Sequence, residues 1–182
     1  MKKILVSLFI LGSISMAAIS QNTFNNGDKV VNLGIGFGSM LYSGSHFSSK
    51  TPPISGSFEI GVKDKLFDDK SSLGIGGYVG YTGAKLQETG WGWKYSSIVV
   101  GGRAALHYQL IDKFDTYTGL MLGYNIVSAS AIGTKYGSAT TSSGFAYSWY
   151  VGGRYYFSDN IAGLAELGYG VSFINLGLAF KF

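Results

Sequence analysis

Residues 116–134 read TYTGLMLGYNIVSASAIGT, an uncharged stretch long enough to cross a bilayer as a helix. The helical period is missing. Thr118, Leu120, Leu122, Tyr124 and Ile126 occupy one set of alternate positions, and Tyr117, Gly119, Met121, Gly123 and Asn125 the other. Strict alternation over this length is the period of a strand with one apolar face. The three glycines, two serines and one asparagine of the stretch also suit a helix poorly. The stretch predicts a strand.

Working outward, the same period recurs from Lys29 to the C-terminus in blocks of strand length. Val31, Leu33, Ile35 and Phe37 alternate with Asn32, Gly34, Gly36 and Gly38. Ile54, Phe58, Ile60 and Val62 alternate with Ser55, Ser57, Glu59 and Gly61, and Leu73, Ile75, Val79 and Tyr81 with Gly74, Gly76, Tyr78 and Gly80. Ile98, Val100, Ala104, Leu106 and Tyr108 oppose Ser97, Gly101, Arg103, His107 and Gln109. Tyr147, Trp149, Val151, Tyr155 and Phe157 oppose Ser148, Tyr150, Gly152, Arg154 and Tyr156. Ile161, Ala165, Leu167 and Tyr169 then alternate with Glu166, Gly168 and Gly170, and Ile174, Leu176, Leu178, Phe180 and Phe182 with Asn175, Gly177, Ala179 and Lys181. Together with the opening stretch this makes eight predicted strands. Charged connections at Asp64–Ser71, Ile111–Asp115 and Ser158–Asn160 alternate with longer Ser/Thr/Gly-rich ones at Tyr42–Thr51, Ala84–Lys94 and Ser128–Gly144.

Alternation alone does not say which face meets lipid; the charges do. Those within the strands, Glu59, Arg103, Arg154 and Glu166, all lie on the glycine-rich face, and the apolar face carries none. An Arg or Lys facing lipid at mid-bilayer costs about 2–4 kcal/mol. Aromatic residues gather near the strand ends on the apolar face, as in the girdles of membrane barrels. Strands satisfy their backbone groups in hydrocarbon only by closing into a barrel. The expected fold is all-β, an eight-stranded antiparallel up-and-down transmembrane β-barrel preceded by a signal peptide.

That leader is Met1-Lys2-Lys3, then the apolar run Ile4–Ile14, then Ala18-Ile19-Ser20 before Gln21, with cleavage expected between Ser20 and Gln21. Residues 1–20 are thus read as signal peptide, 21–28 as a short periplasmic N-terminal segment and 29–182 as the barrel. The 182 residues contain no cysteine and 13% charged residues. A disulfide framework, a thiolate metal site and a Cys nucleophile are therefore excluded. Removing the leader lysines leaves 12 basic and 10 acidic residues, no basis for a nucleic-acid partner.

The C-terminal run Asn175-Leu176-Gly177-Leu178-Ala179-Phe180-Lys181-Phe182 resembles the outer-membrane assembly signal, carried here by Asn175, Gly177, Phe180 and Phe182. With the leader and the eight strands, the chain resembles a small OmpA/OmpX-type outer-membrane β-barrel protein of the kind called porin family. The resemblance implies insertion by the barrel-assembly machinery, outer-membrane lipid around the barrel, both termini in the periplasm and the longer loops outside.

Eight strands leave an interior that side chains fill. Glu59, Arg103, Arg154, Glu166, Tyr78 and Tyr150 are expected there as a hydrogen-bonded lumen network, with His107 packed among them. If the last hairpin but one turns at Ser158–Asn160, Gly152 faces Glu166 and Arg154 faces Leu164. Arg154 and Glu166 then become diagonal neighbours, expected to pair. No catalytic constellation emerges. His46-Phe47-Ser48 has no evident carboxylate to orient the histidine, and Gly34-x-Gly36-x-Gly38 is not a phosphate loop. No cofactor and no metal are expected. Trp91-Gly92-Trp93 and Tyr136 lie in outer connections, able to meet a partner or lipid headgroups. The expected function is a non-enzymatic envelope barrel whose surface loops contact an extracellular partner, with a narrow ion or small-solute channel as the alternative and a lipid-modifying enzyme as a third reading.

Overall fold

The computed structural model describes residues 23–42, 47–88, 90–133 and 139–182. The leader with Ser20 and Gln21, His46 and Tyr136 lie outside them. The strands are β1 (Lys29–Phe37), β2 (Ser49–Asp64), β3 (Ser71–Glu88), β4 (Trp91–Ile111), β5 (Phe114–Gly133), β6 (Gly144–Tyr156), β7 (Ile161–Tyr169) and β8 (Ile174–Lys181). Each pairs antiparallel with the next, and β8 pairs with β1 to close the ring. The β2–β3, β4–β5 and β6–β7 turns and the two ends of the described chain share one end of the barrel, here the terminal end; the β1–β2, β3–β4, β5–β6 and β7–β8 connections share the other, the loop end.

The seam between β1 and β8 is held close by glycine. Gly34 faces Gly177 directly, and a Cβ on Gly177 would collide with the carbonyl of Leu33. Both prolines of the chain, Pro52 and Pro53, sit in a register shift of β2 between Thr51 and Ile54, where a missing N–H breaks no regular ladder.

Faces follow the alternation. Leu33, Ile35, Leu120, Leu122 and Leu176 stand outside, each about half exposed, while Arg154 and Glu59 are fully buried. This inverts a water-soluble protein and matches a barrel with hydrocarbon outside.

Three expected loops are partly strand. β3 and β4 continue to a tight turn between Glu88 and Trp91, so Ala84–Lys94 is mostly ladder; β5 runs on to Gly133, and β2 starts at Ser49. Ser, Thr and Gly there read as loop because the apolar period changes sides. Beyond Ile98 the face continuous with the interior carries Tyr95, Trp93 and Trp91, and the opposite face carries Ser96 and Lys94, with Lys85 paired to Lys94. At the other end, Phe114 and Asp115 belong to β5 rather than to the turn.

Candidate functional site

Buried charged side chains converge in the interior. Arg154, on β6, lies directly opposite Asp115 of β5. Its Nη1 donates to Asp115 Oδ2 at 3.1 Å, its Nη2 to Glu59, and its Nε to Asn32 Oδ1 at 3.1 Å. His107 closes the other side. Its Nδ1 meets Asp115 Oδ1 at 2.9 Å and its Nε2 meets Glu59 Oε1 at 2.8 Å. Glu59, His107, Asp115 and Arg154 thus form a closed ring of two carboxylates bridged twice. Ionised carboxylates only accept, so the ring is fully bonded when the imidazole carries both its protons.

A second cluster lies nearer the loop end. Arg103 Nη2 donates to Glu166 Oε1 at 2.7 Å, Nε to the Tyr150 hydroxyl at 2.9 Å and Nη1 to Ser57 Oγ at 3.2 Å. The guanidinium also stacks over the Tyr150 ring, 4.1 Å from its centroid. Glu166 accepts further bonds from Tyr117 at 2.9 Å and Asn175 at 3.1 Å. Asn32 Nδ2 donates to Ser57 Oγ at 2.9 Å and so joins the two clusters. With both His107 nitrogens protonated, Arg103, Arg154 and His107 would balance Glu59, Asp115 and Glu166, which is what burial of charge requires. β3 contributes space: a Cβ on Gly74 would meet the Glu59 carboxylate.

The expected partnership of Arg154 with Glu166 is replaced. The register is as read, Gly152 facing Glu166 and Arg154 facing Leu164. However, Asp115 faces Arg154 directly on the other side, and a direct cross-strand neighbour is nearer than a diagonal one. Glu166 turns instead toward Arg103 across the lumen, over the space left by Gly152, whose Cβ would meet Glu166 Cγ at 2.8 Å. Of the six network residues named from sequence, five share these bonds. Tyr78 borders a cavity of about 40 Å³ with Arg103, Glu166 and Asn175, large enough for water. Sequence reasoning missed Asp115, Asn32 and Ser57 as network members. Asp115 was legible by stepping back two residues from inward Tyr117.

Apolar residues pack at both ends of the polar interior. Val99, Met121, Ala146 and Val171 pack with Leu41 toward the loop end, and Phe24, Val30, Tyr156, Ala162 and Ala179 pack at the terminal end. Asn175 and Gly177 have packing roles in the folded barrel, whereas Phe180 and Phe182 face outward, Phe182 being 74% exposed. No group of His, Cys, Asp and Glu suited to a metal ion occurs among the described residues.

A ring of eight strands with an apolar exterior and a bonded polar interior is on its own diagnostic of architecture. The fold is that of the small outer-membrane β-barrel proteins. No protein-family model and no curated protein matches the chain. Among solved structures it is similar to Ail, the attachment invasion locus protein of Yersinia pestis, with 11% identity over 86% of this chain and 99% of that one, TM-score 0.51. The Ail complex with the heparin analogue sucrose octasulfate aligns at 12% identity over the same shares, TM-score 0.56. The N-terminal barrel domain of Pseudomonas aeruginosa OprF covers 87% of this chain and 98% of that one at 15% identity, TM-score 0.42. At these identities the likeness is one of fold.

Proposed function

We propose that this chain is a non-enzymatic integral protein of the bacterial outer membrane, sealed to ions, that presents the β3–β4–β5 sheet outside the cell as a contact surface. The observation that carries this reading is the bonded interior: paired charges fill the lumen, and the cavity beside them holds only about 40 Å³. That filling counts against the channel alternative. Among the described residues no nucleophile with an oriented base accompanies it, which favours a non-enzyme.

The contact surface rests on pairing. The β5–β6 ladder ends at Asn125 facing Gly144, so among the described residues Ile126–Gly133 have ladder partners only on β4. Val127 N–H on that edge donates to Ser143 Oγ at 2.9 Å; beyond it the edge carries no charge and no proline and among the described residues pairs with no second strand, which makes it a template for an added one. Ail, alike in fold, is an attachment protein crystallised with a heparin analogue. By that likeness an extracellular partner is sought for this barrel, and the β5 edge points the search to its loop end.

In this reading residues 1–20 are a signal peptide removed between Ser20 and Gln21, the terminal end is periplasmic, and outer-membrane lipid surrounds the belt. The barrel-assembly machinery reads Asn175, Gly177, Phe180 and Phe182. Deleting Phe182 tests that signal: the chain should be exported yet remain protease-sensitive, and normal heat-modifiable gel migration would count against it. Gly177 is a poor test, because a side chain there also breaks the β1–β8 seam. For the whole proposal, planar-bilayer recordings should stay silent and the lipid A mass spectrum should be unchanged by expression. Single cysteines at residue 48 but not at residue 68 should react with an impermeant maleimide on intact cells. Steady conductance would revive the channel, and labelling at residue 68 would invert the topology.

A further inference from the structure

The segment before β1, read from sequence as a periplasmic stub, is folded into the mouth of the barrel. Phe24 is 2% exposed, and its ring stacks on His107 with centroids 4.1 Å apart and planes 25° from parallel. Arg154 stands over the same ring at 5.7 Å. The backbone around Phe24 is tied to several strands. Thr23 N–H donates to Gln109 Oε1 at 2.8 Å on β4, and Ser72 Oγ on β3 donates to the Phe24 carbonyl at 3.0 Å. Asn26 N–H reaches Asp64 Oδ1 on β2. On β8, Lys181 Nζ donates to the Thr23 carbonyl at 3.3 Å and lies 3.7 Å from Asp28 Oδ2.

Two glycines show that the route of this segment is built in. Gly27 holds φ at +89°, a backbone conformation rare for other residues, where the segment turns into β1. Gly61 lies beneath the crossing chain, and a Cβ there would strike the Asn25 carbonyl. Backbone to backbone, the segment is bonded to the ring only from Gly27 onward: Gly27 N–H donates to the Gly61 carbonyl at 2.8 Å, Gly61 N–H donates to the Asp28 carbonyl at 2.9 Å, and the regular ladder follows at Lys29 facing Ile60. Thr23–Asn26 can therefore lift without unpairing any strand of the barrel.

We propose that Thr23–Asn26 is a stopper that closes the lumen at the terminal end, with Phe24 on His107 as its seal and the Gly27 turn, anchored on Gly61, as its hinge. When it is seated, water has no route to the Glu59–His107–Asp115–Arg154 ring. When it lifts, the ring is the first surface that water meets, while the rest of the barrel stays closed. The proposal goes beyond the outer-surface reading and stands independently of it.

The chain lacks cysteine, so an introduced thiol reports alone. Ala162→Cys lies beside Phe24 in the terminal apolar cluster, and Ala146→Cys lies in the loop-end cluster. Each is made in the full mature barrel in detergent, and modification by a small cationic methanethiosulfonate is timed. With the native stopper both thiols should react slowly. Phe24→Ala should speed residue 162 by about tenfold or more, as expected for local opening, and leave residue 146 slow. Gly61→Ala, which displaces the segment while keeping its ring, should speed residue 162 as well. If residue 162 stays protected in both variants, the segment is not the seal. If residue 146 accelerates in step with 162, Phe24 supports the whole barrel and the stopper is overturned.

Discussion

The strands of the belt and the sheet that rises beyond it share one backbone and one alternation, yet their faces carry opposite chemistry. Within the belt, β4 turns Val100, Ala104 and Leu106 outward and Arg103 and His107 inward; above Ile98 the same strand turns Lys94 and Ser96 outward and Trp91, Trp93 and Tyr95 to the side continuous with the interior. The difference lies in what surrounds each part. Hydrocarbon demands an apolar exterior and leaves polar groups to pair inside. Water around the upper sheet removes that demand. The crossover at Ile98 marks where the apolar belt ends toward the loop end.

The largest expected contrast comes from the interior charges. Arg154→Met leaves Glu59 and Asp115 facing each other with only His107 between them. Breaking a buried pair from one side costs about 3–5 kcal/mol, whereas Lys94→Met on the upper sheet should stay within about 0.5 kcal/mol. Urea unfolding in detergent, read by tryptophan fluorescence, gives both values. Equal effects would mean that the interior is hydrated and that the contrast is false.

The next test adds one charge to each region of a single strand. Leu120→Arg, on the lipid face of β5, should cost about 2–4 kcal/mol, and Ser128→Arg above the belt about 0–1 kcal/mol. Folding yield into vesicles at graded urea measures this. A similar cost at both positions would move the apolar boundary up the strand.

A double-mutant cycle sharpens the interior itself. Arg103 and Glu166 should couple by about 1–3 kcal/mol, and Arg154 and Glu166, linked through Tyr117 and the Asn32–Ser57 bridge, by clearly less. The reverse order would restore the diagonal pairing inferred from the hairpin register.

The smallest effect belongs to the β2–β3 turn. The Lys70 N–H donates to the Asp68 carboxylate at 3.0 Å, and the Tyr108 hydroxyl donates to it at 2.9 Å. These bonds, that from Lys70 first, hold the Asp68 carboxyl below its ordinary range. A carboxyl lowered by folding stabilises above its unfolded value, and the contribution is lost as pH falls through the folded one. The Tyr108 ring resonances should therefore shift only in acid below the ordinary carboxylate range, and Asp68→Asn should abolish that shift. A Tyr108 response unchanged in the variant would detach the turn from the strand.

Alternation and charge position were enough to read the eight strands, the lipid face, and the inward placement of Glu59, Arg103, Arg154 and Glu166, because side-chain direction in a strand is a local property with period two. Even the β6–β7 register was legible, since a short turn leaves few ways to pair its flanks. The partners of those charges were not. Arg154 chose Asp115 and Glu59, and Glu166 chose Arg103, because closing the ring sets β2, β4, β6 and β7 around a lumen that facing side chains fill together. The upper sheet was hidden for a different reason: its polar face takes the side that is apolar below, so a reading tuned to one period and one phase takes it for loop. Phe24 was hidden because one aromatic in a polar stub has no period at all. Local pattern determined which way each side chain points; only closure of the barrel decided what it meets there, since contacts across a lumen join residues separated by up to 122 positions in the chain.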